Sequence, residues 1–252
     1  NRSVPVFWMI GEDPDLNKVT RWGLGLAQPA QDFTFKVDVG GLNPDTTYYY
    51  SFWAEGVSSD IGRTRTLPVE SVDRMRFAVA SCANYPAGYF NVYGMIARQD
   101  DLYAVLHLGD YIYEYANGTY GDGTDLDRVP EPDKEIVTLS DYRTRYAQYK
   151  TDPQLQAAHR RHPFIAVWDD HEFTDDAWTG GALNHNPEEG EGEWSERRAA
   201  AQQAYFEWMP IRENSTGGQN QVYRHFACGD LLDLFIVDTR ITGREEQALD
   251  PL

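Results

Sequence analysis

Between Met75 and His171 three short apolar runs each end in a residue able to bind a metal ion. They are Arg76-Phe-Ala-Val-Ala-Ser-Cys82, Leu102-Tyr-Ala-Val-Leu-His-Leu-Gly-Asp110-Tyr-Ile-Tyr113 and Pro163-Phe-Ile-Ala-Val-Trp-Asp-Asp170-His171. Continuous apolar runs of this length, separated by helical patterns, read as strands of a layered α/β sheet buried on both faces. Open sheets of that kind bind ligands beyond the carboxyl ends of their strands, where loops present polar groups. Thiolate, carboxylate, phenol and imidazole are therefore expected along one sheet edge, as in a metal-dependent enzyme.

The 252 residues, 41% of them hydrophobic, can bury a large core. A net charge of −18 repels nucleic-acid backbones and anionic membrane surfaces and suits divalent counter-ions. No run approaches the ~20 apolar residues of a membrane span. The start, Asn1-Arg-Ser-Val-Pro5, lacks an initiator Met and an apolar signal core, and reads as a processed N-terminus. Of the two cysteines, Cys228 fits a small hydrophobe or a turn residue, whereas Cys82 follows a strand and opens a loop.

Residues 1–67 read as all-β, with strands expected over Val4–Ile10, Thr34–Val39 and Thr47–Ala54. Gly41-Leu-Asn-Pro-Asp-Thr-Thr-Tyr-Tyr-Tyr50 resembles the corner of fibronectin type III sandwiches, in which a leucine plugs the core before an aromatic strand. The expectation is a small fibronectin-III-like β-sandwich whose first strands are missing. A linker follows over 68–73, and 74–252 forms the α/β catalytic domain. Helices are expected over Gly88–Gln99, over Leu139–Arg161 as one or two pieces opened by Ser140-Asp141, and over Ser195–Met209 with Ser195 as N-cap. Late strands are expected at Tyr223–Phe226 and Leu231–Val237. The Gly/Asp/Asn/Pro-rich loops Gly118–Pro132 and Thr179–Glu193 are long enough to shape a site entrance.

Three constellations carry the chemistry. In Gly109-Asp110-Tyr-Ile-Tyr113 the glycine lets the backbone turn, Asp110 offers two oxygens to cations, and Tyr113 reaches the same centre from three residues on. A phenolate ligand favours a hard trivalent ion such as Fe(III); an aromatic loop with a capping Asp is the blander alternative. Trp168-Asp-Asp-His-Glu-Phe-Thr-Asp-Asp176 holds five acids and one histidine in nine positions, and a bound cation relieves such repulsion, unless the turn is simply solvated. Cys82 alone is an ordinary core cysteine; beside Asp110, Tyr113 and Asp-Asp-His it suits a mixed site of one iron-like and one or more oxygen-loving ions.

Ser81-Cys82, His107-Leu-Gly-Asp-Tyr-Ile-Tyr-Glu114, Val167-Trp-Asp-Asp-His-Glu172, Met209-Pro-Ile-Arg212 and Val237-Asp-Thr-Arg240 resemble, in order and spacing, the PhoD-type alkaline phosphatase and phosphodiesterase family. The Gly-Asp-x-x-Tyr element is also similar to that of purple acid phosphatases, related metallophosphoesterases with a small N-terminal β-sandwich. The resemblance implies a four-layer αββα sandwich and a secreted or periplasmic enzyme that hydrolyses phosphomonoesters or phosphodiesters with a metal-activated hydroxide. Cys82, Asp110 and Tyr113 would bind Fe(III), with Asp110 bridging to Ca(II). Asp170 and His171 stand in the place of an Asn-His pair, His171 assisting the leaving alkoxide. Asp176 stands where an Asn ligand is common, which leaves Asp170, Asp175 and Asp176 as competing ligands. Arg212 and Arg240 are candidate phosphate clamps, with structural ion pairs as the alternative.

Such enzymes complete the centre with a late strand ending in Asp and a Gly-Asp-x-His or Gly-His-x-His turn. After Arg240 this sequence runs instead through Thr242-Gly-Arg-Glu-Glu-Gln-Ala-Leu-Asp-Pro-Leu252. The expected partner is accordingly a C-terminal fragment of the same precursor carrying the remaining ligands. The rival readings are a non-catalytic metal-binding or adhesive module with an incomplete site, and an iron-dependent oxidase. The oxidase lacks a compact two-His-one-carboxylate set.

Overall fold

The computed structural model describes residues 2–212 and 221–247, so Ala248–Leu252 of the final run lie outside it. Residues 2–65 build one five-stranded antiparallel sheet from β1 (Val4–Gly11), β2 (Arg21–Ala27), β3 (Thr47–Ala54), β4 (Val57–Ser58) and β5 (Gly62–Arg65). β1 is central: Phe7 pairs with Leu24 of β2 on one side and with Trp53 of β3 on the other. The inner face buries Val6, Ile10 and Tyr48, and the Tyr48 hydroxyl accepts the Asn43 amide at 2.9 Å, fixing the corner before β3.

β2 escapes the usual strand pattern because glycines alternate with its apolar residues. Gly23 lies against the Trp8 indole and Gly25 against the Phe35 ring, each close enough that a Cβ would collide. Thr34–Val39, expected as a strand, has no ladder partner. Its side chains serve elsewhere: Phe35 covers Gly25, Lys36 reaches the Phe206 and Ile211 carbonyls, and Asp38 pairs with Arg212.

The second part is a three-stranded parallel sheet, β6 (Phe77–Ala80), β7 (Ala104–His107) and β8 (Phe164–Ala166), in the order β6-β7-β8. All three lie inside the apolar runs that end in Cys82, Asp110 to Tyr113, and Asp170-His171. The helices are α1 (Asn91–Ala97), α2 (Leu139–Tyr149), α3 (Pro153–Arg161) and α4 (Trp194–Trp208). Leu139–Arg161 divides at Asp152, whose carboxylate caps α3 by accepting from Gln154 and Leu155 while pairing with buried Arg128 at 2.8 Å. α2 opens with a capping box between Thr138 and Asp141, so Asp141 is the reciprocal partner of the cap. α4 begins one residue before Ser195 and carries no side-chain cap, which corrects the N-cap expected there.

A core of Tyr111, Ile112, Tyr142, Tyr146, Trp168, Phe173, Tyr205 and Phe206 fills the space between sheet and helices. The antiparallel hairpin β9 (Arg224–Cys228) and β10 (Leu232–Ile236) adds Ile236, Phe226 and Leu234 to a second cluster with Ala104, Ile165 and Phe77. Cys228 is fully buried, and neither cysteine forms a disulfide. The two parts are stapled together: Arg143 donates to Glu207 at 2.6 and 2.7 Å and to the Ala30 carbonyl at 2.7 Å, and the Trp208 indole donates to Asp32 at 3.1 Å.

Candidate metal centre

The residues just beyond β6, β7 and β8 meet at one edge of the parallel sheet. Asp110 Oδ2 lies 3.4 Å from Cys82 Sγ and accepts the Tyr113 hydroxyl at 3.2 Å, bringing thiol, carboxyl and phenol together. Asp110, Asp170 and His171 each offer a ligand atom within 4.8 Å of the others. Reaching this edge bends the backbone: Cys82, Asp110 and Asp176 sit at φ of 59°, 54° and 51°, a left-handed region that side chains rarely adopt. Gly109, at φ 107°, passes so close to the Asp169 amide nitrogen that a Cβ would lie 2.3 Å away.

Electrostatics sharpen the requirement for a cation. Burial pushes the Asp110 carboxyl up, with Asp170 and Asp169 adding to it and His171 opposing. Burial also raises Cys82 and lifts Tyr113 far above the ordinary phenol range, Asp110 contributing in both cases. Each group is therefore hardest to ionise beside the others. Asp110 Oδ1 is buried without any protein partner. A carboxylate with one orphaned oxygen, its other oxygen beside a thiol and a phenol, near a second carboxylate and an imidazole, belongs to a donor set that fits bound cations.

Two glutamates that the sequence reading passed over hold this edge in shape. Glu172, fully buried, accepts from the backbone amides of Asp110 at 3.0 Å, Tyr111 at 2.6 Å and Asp169 at 2.7 Å. It thereby ties the loop after β7 to the loop after β8. Burial and Asp110 push its carboxyl up to about 8 against the pull of those three amides. Glu114, also fully buried, accepts from His171 Nδ1 at 2.8 Å, Thr174 Oγ1 at 3.2 Å and the Asp175 amide at 2.8 Å. Because a carboxylate only accepts here, His171 Nδ1 carries a proton and Nε2 faces away from Glu114. Burial lowers the His171 pKa, but the Glu114 bond and charge, with Asp110 and Asp170, outweigh it and bring it to about 9. The signal for both glutamates was available: each follows a motif's last ligand-type residue, Tyr113 or His171, inside an apolar setting.

The other sequence candidates divide. The Asp176 amide donates to Asp170 Oδ2 at 2.7 Å, and Asp176 Oδ1 lies 3.3 Å from Arg240. Asp175 stands 3.9 Å from His171 Nε2. Arg240 reaches the cluster, pairing with Asp169, with Asp170 at 3.2 Å and with Asp176. Arg212 does not: its guanidinium grips Asp38 at 2.7 and 2.9 Å on the exposed boundary with the N-terminal sheet. A cleft of about 700 Å3 lies against Asp32 and α2, and none of the candidate site residues lines it.

Two family models match the chain. One described as "PhoD-like phosphatase" matches residues 77–250. The chain belongs to the PhoD-like phosphatase family. A second, "PhoD-like phosphatase, N-terminal domain", matches residues 1–68. Alkaline phosphatase D of Bacillus subtilis (strain 168) is 41% identical over 253 residues, an alignment that covers 98% of this chain and 42% of that protein. A solved structure entitled "Structure of PhoD" superposes with a TM-score of 0.89 at 39% identity, covering 98% of this chain and 47% of the other. The chain thus spans a little under half the length of the PhoD-like relatives it matches, and its mixed α/β fold is theirs. Among the described residues no helix is long and apolar enough to cross a membrane.

Proposed function

We propose that this chain carries one side of the active centre of a phosphoric ester hydrolase. The observation that bears the reading is the meeting of Cys82, Asp110, Tyr113, Asp170 and His171 beyond three parallel strands. Cys82, Asp110 and Tyr113 would hold an Fe(III) ion, and Asp110 and Asp170, with Asp176 beside them, one or more Ca(II) ions. Bound cations would lower the pKa of water and offset charge on the phosphoryl oxygens.

The chain's own residues then have separate tasks. Asp110 would help to hold both kinds of ion, since it lies beside Cys82 and Tyr113 as well as near Asp170. His171, its Nδ1 proton committed to Glu114, turns Nε2 to the leaving-group side and can pass a proton to the departing alkoxide. Arg240, close to Asp170 and Asp176, is the guanidinium assigned to the phosphoryl oxygens. Arg212 is withdrawn from that role because it pairs with Asp38 on the exposed boundary of the N-terminal region and does not reach the cluster.

The same family membership motivates the rest of the architecture. The parallel sheet with helices on one face and the β9–β10 hairpin on the other is read as part of a four-layer αββα sandwich. The five-stranded N-terminal sheet, with its tyrosine-fixed corner, is read as part of a fibronectin-III-like sandwich over 1–67, joined by 68–73 to a catalytic domain from 74. Further ligands would come from a C-terminal portion of the same precursor, and the localisation would be secreted or periplasmic. The test is phosphoesterase assay and metal analysis of the full-length protein and its Asp110→Ala variant. Loss of activity and metal together supports the reading, and full activity in a metal-free Asp110→Ala protein would overturn it.

A further inference from the structure

We propose that Tyr120 is a stacking platform that selects phosphate esters whose alcohol part carries a planar aromatic ring. This rests on the phosphoesterase reading above. Four rings, Tyr113, Tyr115, Tyr120 and His171, gather at the centre around the imidazole assigned above to the leaving group. Tyr120 stacks on Tyr113, with centroids 5.6 Å apart and planes 15° apart, and on His171 at 6.0 Å and 29°. Tyr115 flanks both Tyr120 and His171, at 5.6 and 5.7 Å. Tyr113 and His171 are buried, whereas Tyr120 leaves 59% of its surface open to solvent.

An exposed ring on a glycine-rich loop would ordinarily swing freely. This one is presented by a pinned backbone. Asn84 Nδ2 donates to the Tyr120 carbonyl at 2.8 Å, and the Gly118 amide donates to the Gly121 carbonyl at 2.8 Å, closing a turn around it. On one side Asn117 fastens the same loop to Asp122, Gly123 and Thr124. A flat apolar surface is thus fixed beside the imidazole that faces the leaving alcohol. Stacking on such a surface favours any planar ring without demanding a particular hydrogen-bond pattern, so the selection is by ring rather than by functional group.

Phenylphosphonate and methylphosphonate present the same anionic head and differ in the ring, so their dissociation constants, measured by calorimetry on the metal-loaded full-length protein, read the platform without turnover. The wild type is expected to bind phenylphosphonate ~10-fold more tightly. Tyr120→Leu should bring the two constants together, while Tyr120→Phe should keep the ratio, and both variants should melt with the wild type. Equal binding of the two phosphonates by the wild type, survival of the ratio in Tyr120→Leu, or its loss in Tyr120→Phe would overturn the platform while leaving the phosphoesterase reading intact. If the wild type binds neither phosphonate, that reading fails and the platform with it.

Discussion

His171 donates its Nδ1 proton to Glu114 Oε2 at 2.8 Å, and this bond decides which imidazole nitrogen faces the candidate centre. Glu114→Ala should therefore misorient the ring rather than remove a contact with substrate. The expected result is a ~10–100-fold fall in kcat with KM little changed, and partial rescue in Glu114→Gln, whose amide oxygen can still accept. Steady-state kinetics on both variants checks this, and a loss carried by KM alone would refute the orienting role.

Glu172→Gln tests the tie between the two ligand-bearing loops. The amide keeps one acceptor but turns an N–H2 group towards backbone amides that need an acceptor, so at least one buried donor loses its partner. Metal affinity should fall ~10–100-fold, with a lowered Tm. Competition titration against a chelator measures the first, and unchanged affinity would show that the loops hold their places without the carboxylate.

Tyr113→Phe should abolish a visible phenolate-to-iron charge-transfer band while leaving the rings stacked against His171. Absorption spectra of concentrated protein suffice. A wild type that is colourless and iron-free yet fully active would sink the Fe(III) assignment.

The two arginines should part company. Arg212 and Asp38 are mostly exposed, a setting in which an ion pair contributes ~0–1 kcal/mol, so Arg212→Ala should keep kcat/KM within about twofold of the wild type. Arg240→Ala should cost roughly tenfold or more, since it removes a guanidinium held against Asp170 and Asp176. Equal losses in the two would return Arg212 to the site.

Acid stability carries a contribution from His107. This ring is fully buried, its Nε2 is 2.7 Å from the Tyr93 hydroxyl and the Tyr111 ring lies tilted beside it; burial, with some help from the Lys150 charge, drops its pKa from 6.5 to about 3. Between those two values the unfolded chain binds the proton and the folded chain does not, so stability rises with pH across the window and falls as pH is lowered through it. Denaturant titrations at several pH values should show a shallower fall between pH 6.5 and the carboxylate range in His107→Gln. An unaltered slope would place the acid sensitivity elsewhere.

The strand ends and their ligands were legible because a buried strand is an uninterrupted apolar run, and a polar residue ending such a run stands out. Cys82, Asp110, Tyr113, Asp170 and His171 were all named from that contrast, and the structure brings them together. For Arg212 the sequence leaves a phosphate clamp and a structural ion pair both open, because spacing along the chain says nothing about Asp38, a partner 174 residues away. Thr34–Val39 alternates like a strand, yet alternation does not supply a neighbour to pair with. β2 was hidden for the converse reason, since its glycines read as turn residues until the rings lying over them are seen. Glu172 works through three backbone amides and Glu114 through His171, Thr174 and the Asp175 amide; their place in the motifs marks them in the sequence, but the partners are brought close only by the fold.

Lys36 places its ammonium on the carbonyls of Phe206 and Ile211, where α4 ends, while Ala30 and Asp32 engage Arg143 and Trp208. Carbonyls at a helix end have no partner within the helix, so the segment between β2 and β3 supplies what α4 cannot supply for itself. The first 68 residues are consequently a poor candidate for excision or exchange. A recombinant that joins this α/β part to a relative's N-terminal region inherits a working helix end only if the lysine and its neighbours arrive with it, so the fragments of such genes that recombine successfully should be those that move the two regions as a pair.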